Sequence, residues 1–126
     1  MQDKYYLADR SNRTIDILDL HVAPPTLTQT QNFAFAGFTG NNDTSGPNGV
    51  ATVNNHTELW VGDSPGRVWV LNASDASVKV VPPGASNPLT VMAGQTTRAD
   101  EFCYDSVHNI VMITLSCVAA SIGRDA

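Results

Sequence analysis

The chain's 126 residues suffice for one domain of ordinary size, and 42% hydrophobic against 15% charged residues, with nine Gly and seven Pro, describe a globular, turn-rich protein rather than a disordered one. A net charge of −5 with no Lys/Arg cluster excludes tight nucleic-acid binding, which needs several basic side chains to neutralise phosphates. The apolar runs are short and interrupted, so none suits a membrane-spanning helix.

Helical periodicity is nearly absent along the chain. Strands are predicted over Tyr5–Ala8, Thr14–Leu18, Gln31–Ala36, Val50–Val53, Glu58–Gly62, Arg67–Leu71, Val78–Val81, Glu101–Tyr104 and Ile110–Ile113. Each is short, rich in β-branched or aromatic residues, and bounded by Asn, Asp, Gly, Ser or Pro. From Val50 to Val81 they follow one another at the spacing of a four-stranded antiparallel meander, with Val50–Val53 as its first strand and Val78–Val81 as its fourth. Trp60 and Trp69 fall inside strands and are expected to pack between sheets. Cys103 and Cys117 fit no metal or redox spacing, and Cys103, between Phe102 and Tyr104, is expected to be a small core residue.

A long repeat underlies these strands. Its complete copy is Gly-Pro-Asn-Gly-Val (46–50), a turn at Asn54–Thr57, Glu-Leu-Trp-Val-Gly-Asp (58–63), a turn at Ser64–Gly66, and Arg-Val-Trp-Val-Leu-Asn (67–72). Tyr5–Asp19 repeats the second half: Asp9 matches Asp63 at an offset of 54, and Ile15–Asp19 matches Val68–Asn72 at 53. Asp100–Ile113 repeats the first half at 52, setting Asn48 on Asp100, Val50 on Phe102, His56 on His108 and Leu59–Val61 on Val111–Ile113. One meander of about 50 residues, repeated, is the unit of a β-propeller, and apolar residues on both strand faces suit sheets that stack on two neighbours.

The chain resembles the propellers of the YVTN/NHL type and the gluconolactonase/senescence-marker (regucalcin-like) superfamily. The residues carrying the resemblance are Tyr-Tyr-Leu-Ala-Asp-Arg-Ser-Asn-Arg-Thr-Ile-Asp-Ile-Leu-Asp (5–19), Gly-Pro-Asn-Gly-Val with Glu-Leu-Trp-Val-Gly-Asp (46–63), and Arg-Ala-Asp-Glu with Tyr-Asp (98–105). The resemblance implies an all-β fold of propeller blades: a partial first blade over 1–36, a complete second blade with its entry loop over 37–97, a partial third blade over 98–113, and a divergent tail over 114–126. That makes about two and a third blades of an incomplete ring, leaving strand edges and blade faces uncovered. A homo-oligomer that completes the ring is one expectation, and a truncated, inactive propeller fragment is the other. After Ile113 the repeat predicts Gly-Asp and a turn, whereas the chain has Thr114-Leu115.

In a meander blade, the loop entering the first strand and the loop between the second and third strands share one face, where propellers usually bind ligands. Asn42, Asp43 and Asn48 precede one first strand; Arg98, Asp100 and Glu101 precede the next, and all six are candidate ligand-binding residues of this funnel face. Asn48 and Asp100 occupy the same place in successive blades, and their oxygens are hard ligands suited to a divalent cation such as calcium. In the gluconolactonase-like family an Asn and an Asp at such positions, with a Glu from another blade, hold a catalytic metal. Asn48 and Asp100 resemble the first two, and the third has no match. The plain alternative is that both only accept hydrogen bonds from loop amides.

Asp9 and Asp63, each ending a strand before a tight turn, read as turn residues that accept from nearby amides. His56 and His108 match each other in the turns opposite the funnel, and His21 lies in a loop with Pro24-Pro25. No Gly-X-Ser-X-Gly elbow and no phosphate-binding Gly loop occurs. Asn-X-Ser/Thr at Asn12, Asn42, Asn55 and Asn72 leans towards an extracytoplasmic setting. The opening Met-Gln-Asp-Lys-Tyr-Tyr has no apolar signal core, so a secreted form is expected to be the mature chain with a replaced start. The favoured functional reading is a module that binds a small molecule or a protein loop at the funnel face. The alternatives are a truncated remnant and a metal-dependent lactonase-like hydrolase or cyclase-like enzyme.

Overall fold

A computed structural model describes residues 3–29, 47–63, 66–90 and 97–117. They form three antiparallel sheets with no helix among them. The first sheet holds β1 (Lys4–Asp9), β2 (Thr14–Asp19) and β3 (Thr26–Gln29) in that order. The second is a complete meander of β4 (Val50–Val53), β5 (Glu58–Asp63), β6 (Arg67–Asn72) and β7 (Leu89–Thr90). The third pairs β8 (Thr97–Asp105) with β9 (Ile110–Cys117).

The hairpin registers follow from the turns. Between β4 and β5, Asn54, Asn55 and His56 all take positive φ, near 52°, 52° and 62°, a conformation that Asn and His tolerate better than most residues. The Thr57 amide closes this turn on the Asn54 carbonyl at 3.1 Å. Asn109, ending the β8–β9 turn, is likewise left-handed at φ 55°. Those turns set Val50 opposite Val61 and Phe102 opposite Ile113, which keeps each apolar set on a single face.

The stacking of the sheets follows from the alternation. On the second sheet, Val50, Leu59, Val61, Trp69 and Leu71 share one face and pack on Tyr6, Ala8, Ile15 and Ile17 of the first sheet. Each fully buried Leu, Ile or Val contributes about 1.5–3 kcal/mol here. The opposite face, which includes Gly49, Gly62 and Val68, meets the third sheet. A Cβ on Gly62 would lie 2.2 Å from the Ala99 carbonyl oxygen and 2.8 Å from a Phe102 ring carbon, so only glycine admits this approach.

Four sequence expectations change. Val78–Val81 is not a strand: Val78 makes a single bridge to Leu71, and β7 supplies the fourth strand instead. Pro82 and Pro83 lack amide donors, which stops a ladder from continuing there. In the gap the Asn87 side chain pairs with Val70 as a strand would, accepting from its amide at 3.0 Å and donating to its carbonyl at 2.7 Å. Second, the first sheet draws its last strand from Thr26–Gln29, a segment too short to signal itself, while Gln31–Ala36 lies outside the described residues. Third, β9 runs through the expected boundary after Ile113 as far as Cys117, because Thr114-Leu115 pairs with Glu101 and Ala99 rather than forming a turn. Fourth, Cys103 is exposed, since Phe102 and Tyr104 point to the second sheet and Cys103 to the other side.

Candidate functional site

Asn48 and Asp100, the two residues matched by the repeat, both lie where the second and third sheets meet, with Gly49, next to Asn48, against the Asp100 backbone. Asn48 precedes β4, and its amide donates to the Gly62 carbonyl at 2.9 Å, while the Gly62 amide donates to Gly49 at 2.9 Å. These reciprocal bonds fasten the entry loop to the end of β5. The next residue, Gly49, touches Asp100: a Cβ there would lie 2.1 Å from the Asp100 carbonyl oxygen and 2.6 Å from the Phe102 ring. Asp100 stands in a β-bulge, where the register slips between Ala99 and Glu101. A bulge inserts one unpaired residue and re-aims its neighbours, a device common beside functional sites.

The Asn48 side chain is the unusual group here. Both its Oδ1 and its Nδ2 are buried, and neither has a hydrogen-bond partner among the described residues. Leaving a buried amide unsatisfied costs roughly 1–3 kcal/mol, so such a group calls for an explanation. An incoming group with both a donor and an acceptor supplies one.

The other candidates are distributed as follows. Glu101 is exposed, and its backbone amide donates to Thr114 Oγ1 at 3.1 Å. Arg98 lies on β8, paired with Ser116. Asn42 and Asp43 lie outside the described residues. Among the described residues no three His, Cys, Asp or Glu side chains gather in a way that holds a metal ion. For calcium, Asn48 Oδ1 and the Asp100 carboxylate would together offer at most three oxygen donors, fewer than the six to eight such ions take.

Two buried polar clusters escaped the sequence reading. Asp63, fully buried, accepts from Arg67 Nε at 3.1 Å, from Arg67 Nη2 at 2.9 Å and from Trp69 Nε1 at 2.7 Å. The turn reading holds in part, since its carboxyl also accepts from the Arg67 backbone amide, and beyond that it ties three side chains of one hairpin together. Burial pushes its carboxyl above the usual range, and the bonds from Arg67 and Trp69 only partly offset this. Glu58 accepts from Lys79, from Trp60 Nε1 at 3.1 Å and from Asn54 Nδ2 at 2.8 Å. Burial opposes its charge, but those bonds and the Lys79 ammonium outweigh it and hold the carboxyl below its usual range. Both clusters are internally satisfied ties, and the i, i+4 spacing of Asp63 and Arg67 across a tight turn was the signal available in sequence.

The histidines hold local positions. His56 Nδ1 is 3.0 Å from Thr52 Oγ1, His108 Nδ1 is 2.6 Å from Asp105 Oδ2, and His21 lies between Asp19 and Asp3 at 3.1 and 3.7 Å. Asp9 is a turn acceptor as expected, bound by the Asn12 amide at 3.0 Å and by Asn12 Nδ2 at 2.6 Å. A separate groove of about 320 Å³ runs between β1 and β4, lined by Lys4, Tyr6, Val50, Thr52 and Leu59 among others. Compared with protein-family models, with curated proteins and with solved structures, the chain finds no match.

Proposed function

We propose that the three sheets are successive propeller blades and that the chain is a binding module whose recognition point is Asn48, at the seam of the second and third sheets. The observation that carries the reading is the Asn48 amide, buried at both polar atoms and unpartnered among the described residues. A cation engages only the oxygen and leaves the Nδ2 donors unmet. A group with a donor beside an acceptor, such as the peptide group of a protein loop, satisfies both. The Asp100 backbone, in its bulge, lies against Gly49 next to this amide.

The test uses N-methylacetamide as a peptide-group probe, with nuclear magnetic resonance of the Asn48 side-chain amide as readout. Saturable shifts of the Asn48 side-chain amide and of the Gly49 and Gly62 backbone amides are expected, the backbone shifts being lost in Asn48→Leu. Calcium chloride, titrated separately, tests the lactonase-like alternative. Saturable shifts at Asn48 together with a raised melting temperature, both lost in Asn48→Ala/Asp100→Ala, would favour a metal site. Resonances unmoved by either probe would sink the binding reading.

A further inference from the structure

We propose that the outer face of the third sheet docks the outer face of the first sheet of a second copy of this chain, in the same face-to-face register that the chain uses twice internally. This inference rests on the sheet faces alone and stands apart from the ligand reading.

Call the side of the second sheet that bears Leu59 and Val61 its front, and the side that bears Trp60 and Gly62 its back. The repeat assigns every other strand residue to one side or the other. At the first seam, Tyr6 and Ala8 match Trp60 and Gly62 at an offset of 54, so the first sheet presents its back to the front of the second. At the second seam the back of the second sheet, at Gly49 and Gly62, meets Phe102, which matches Val50 on the front. Both seams therefore join a back to the next sheet's front, in the same order along the chain.

Among the described residues, exposed apolar side chains gather on two sheet faces, and these are of opposite kinds. On the front of the first sheet Tyr5 is 62% and Leu7 50% exposed, with Leu27 beside them, while Thr14 and Asp16 on the same face are buried. Tyr5 and Leu7 match Leu59 and Val61, the residues that make the first seam. On the back of the third sheet Ile110 is 53% and Met112 54% exposed, with Cys103 beside them. Met112 matches Trp60. An exposed back and an exposed front on one molecule form a heterologous pair, which joins copies head to tail. Large apolar side chains grouped on one exposed face mark such contacts.

Because the two faces differ, the contact can be tested by complementation. Wild type on a sizing column with light scattering is expected to exceed the 13.5 kDa of one chain and to fall towards it on dilution. Leu7→Glu spoils only the front and Met112→Glu only the back. Both positions are exposed, so each variant should keep the wild-type circular dichroism and run as a monomer. An equimolar mixture should run as a dimer, because Leu7→Glu still offers an intact back and Met112→Glu an intact front. A monomeric wild type overturns the proposal, as does a mixture that stays monomeric. Assembly of either variant alone would also overturn it, since that requires a contact made elsewhere.

Discussion

Asp9 and Asp63 occupy the same point of the repeat, each ending a strand before a tight turn, yet the structure gives them opposite environments. Asp9 stays near the surface, where Asn12 bonds to both of its oxygens and holds its carboxyl below the usual range. Asp63 is fully buried and pushed the other way. The difference originates on the following strand. Arg67 and Trp69 supply three donors to Asp63 in the second sheet; their counterparts in the first are Thr14 and Asp16, and Thr14 Oγ1 donates to Asp16 instead, at 2.9 Å. The Arg67 guanidinium also lies 5.6 Å from the centre of the Trp69 ring, a cation–π distance. A repeat position thus sets the backbone, and the neighbours facing it decide whether an aspartate only caps a turn or also ties a core.

The comparison can be broken most directly by removing the carboxylates. Asp63→Ala leaves Arg67 and the Trp69 N–H without their acceptor, and breaking a buried pair costs about 3–5 kcal/mol by urea denaturation. Asp9→Ala should leave the melting temperature nearly unchanged. Equal losses at the two sites would show that burial does not separate their roles. A smaller effect comes from Trp69→Phe, which keeps most of the aromatic volume but deprives Asp63 of one donor, costing about 1–3 kcal/mol.

The smallest signal sharpens the contrast most. Carboxyl-carbon titration should put Asp63 above 3.8 and Asp9 below it. Between 3.8 and its folded value, Asp63 keeps a proton that the unfolded chain has released, so its contribution to stability falls as pH rises through that window. Asp9 behaves oppositely: its contribution is present above 3.8 and is lost as pH falls through its lower folded value. Denaturation of Asp63→Asn and Asp9→Asn across acid pH checks both signs, each variant removing one limb of the pH dependence.

Much of the fold was legible because it rests on alternation and turn chemistry, which are local. The runs around Leu59, Val68 and Ile110 and the Asn-rich turn at 54–57 led to β5, β6, β9 and their registers. The fourth strand of the meander was not, because Val78–Val81 has strand composition while the pairing depends on where Pro82-Pro83 and Asn87 fall in space. Cys103 was misread for a related reason: alternation says that it opposes Phe102, but not which side another sheet covers. At the candidate site, the repeat brought Asn48 and Asp100 into register. The bulge at Asp100 and the burial of the Asn48 amide depend on how two sheets approach, which no single strand encodes.

The Asn87 amide, described above as standing in for a strand at Val70, also bears on how the molecule meets its own kind. Along β6, Val68 pairs with Leu89, Val70 with Asn87 and Lys79, Leu71 with Val78, and Asn72 with Ser77. Among the described residues, this side of β6 therefore offers no continuous row of open backbone groups. Asn87 thus extends, by one side chain, the cover that the short β7 gives to β6, and closing open backbone groups in this way is how sheets discourage pairing with foreign strands.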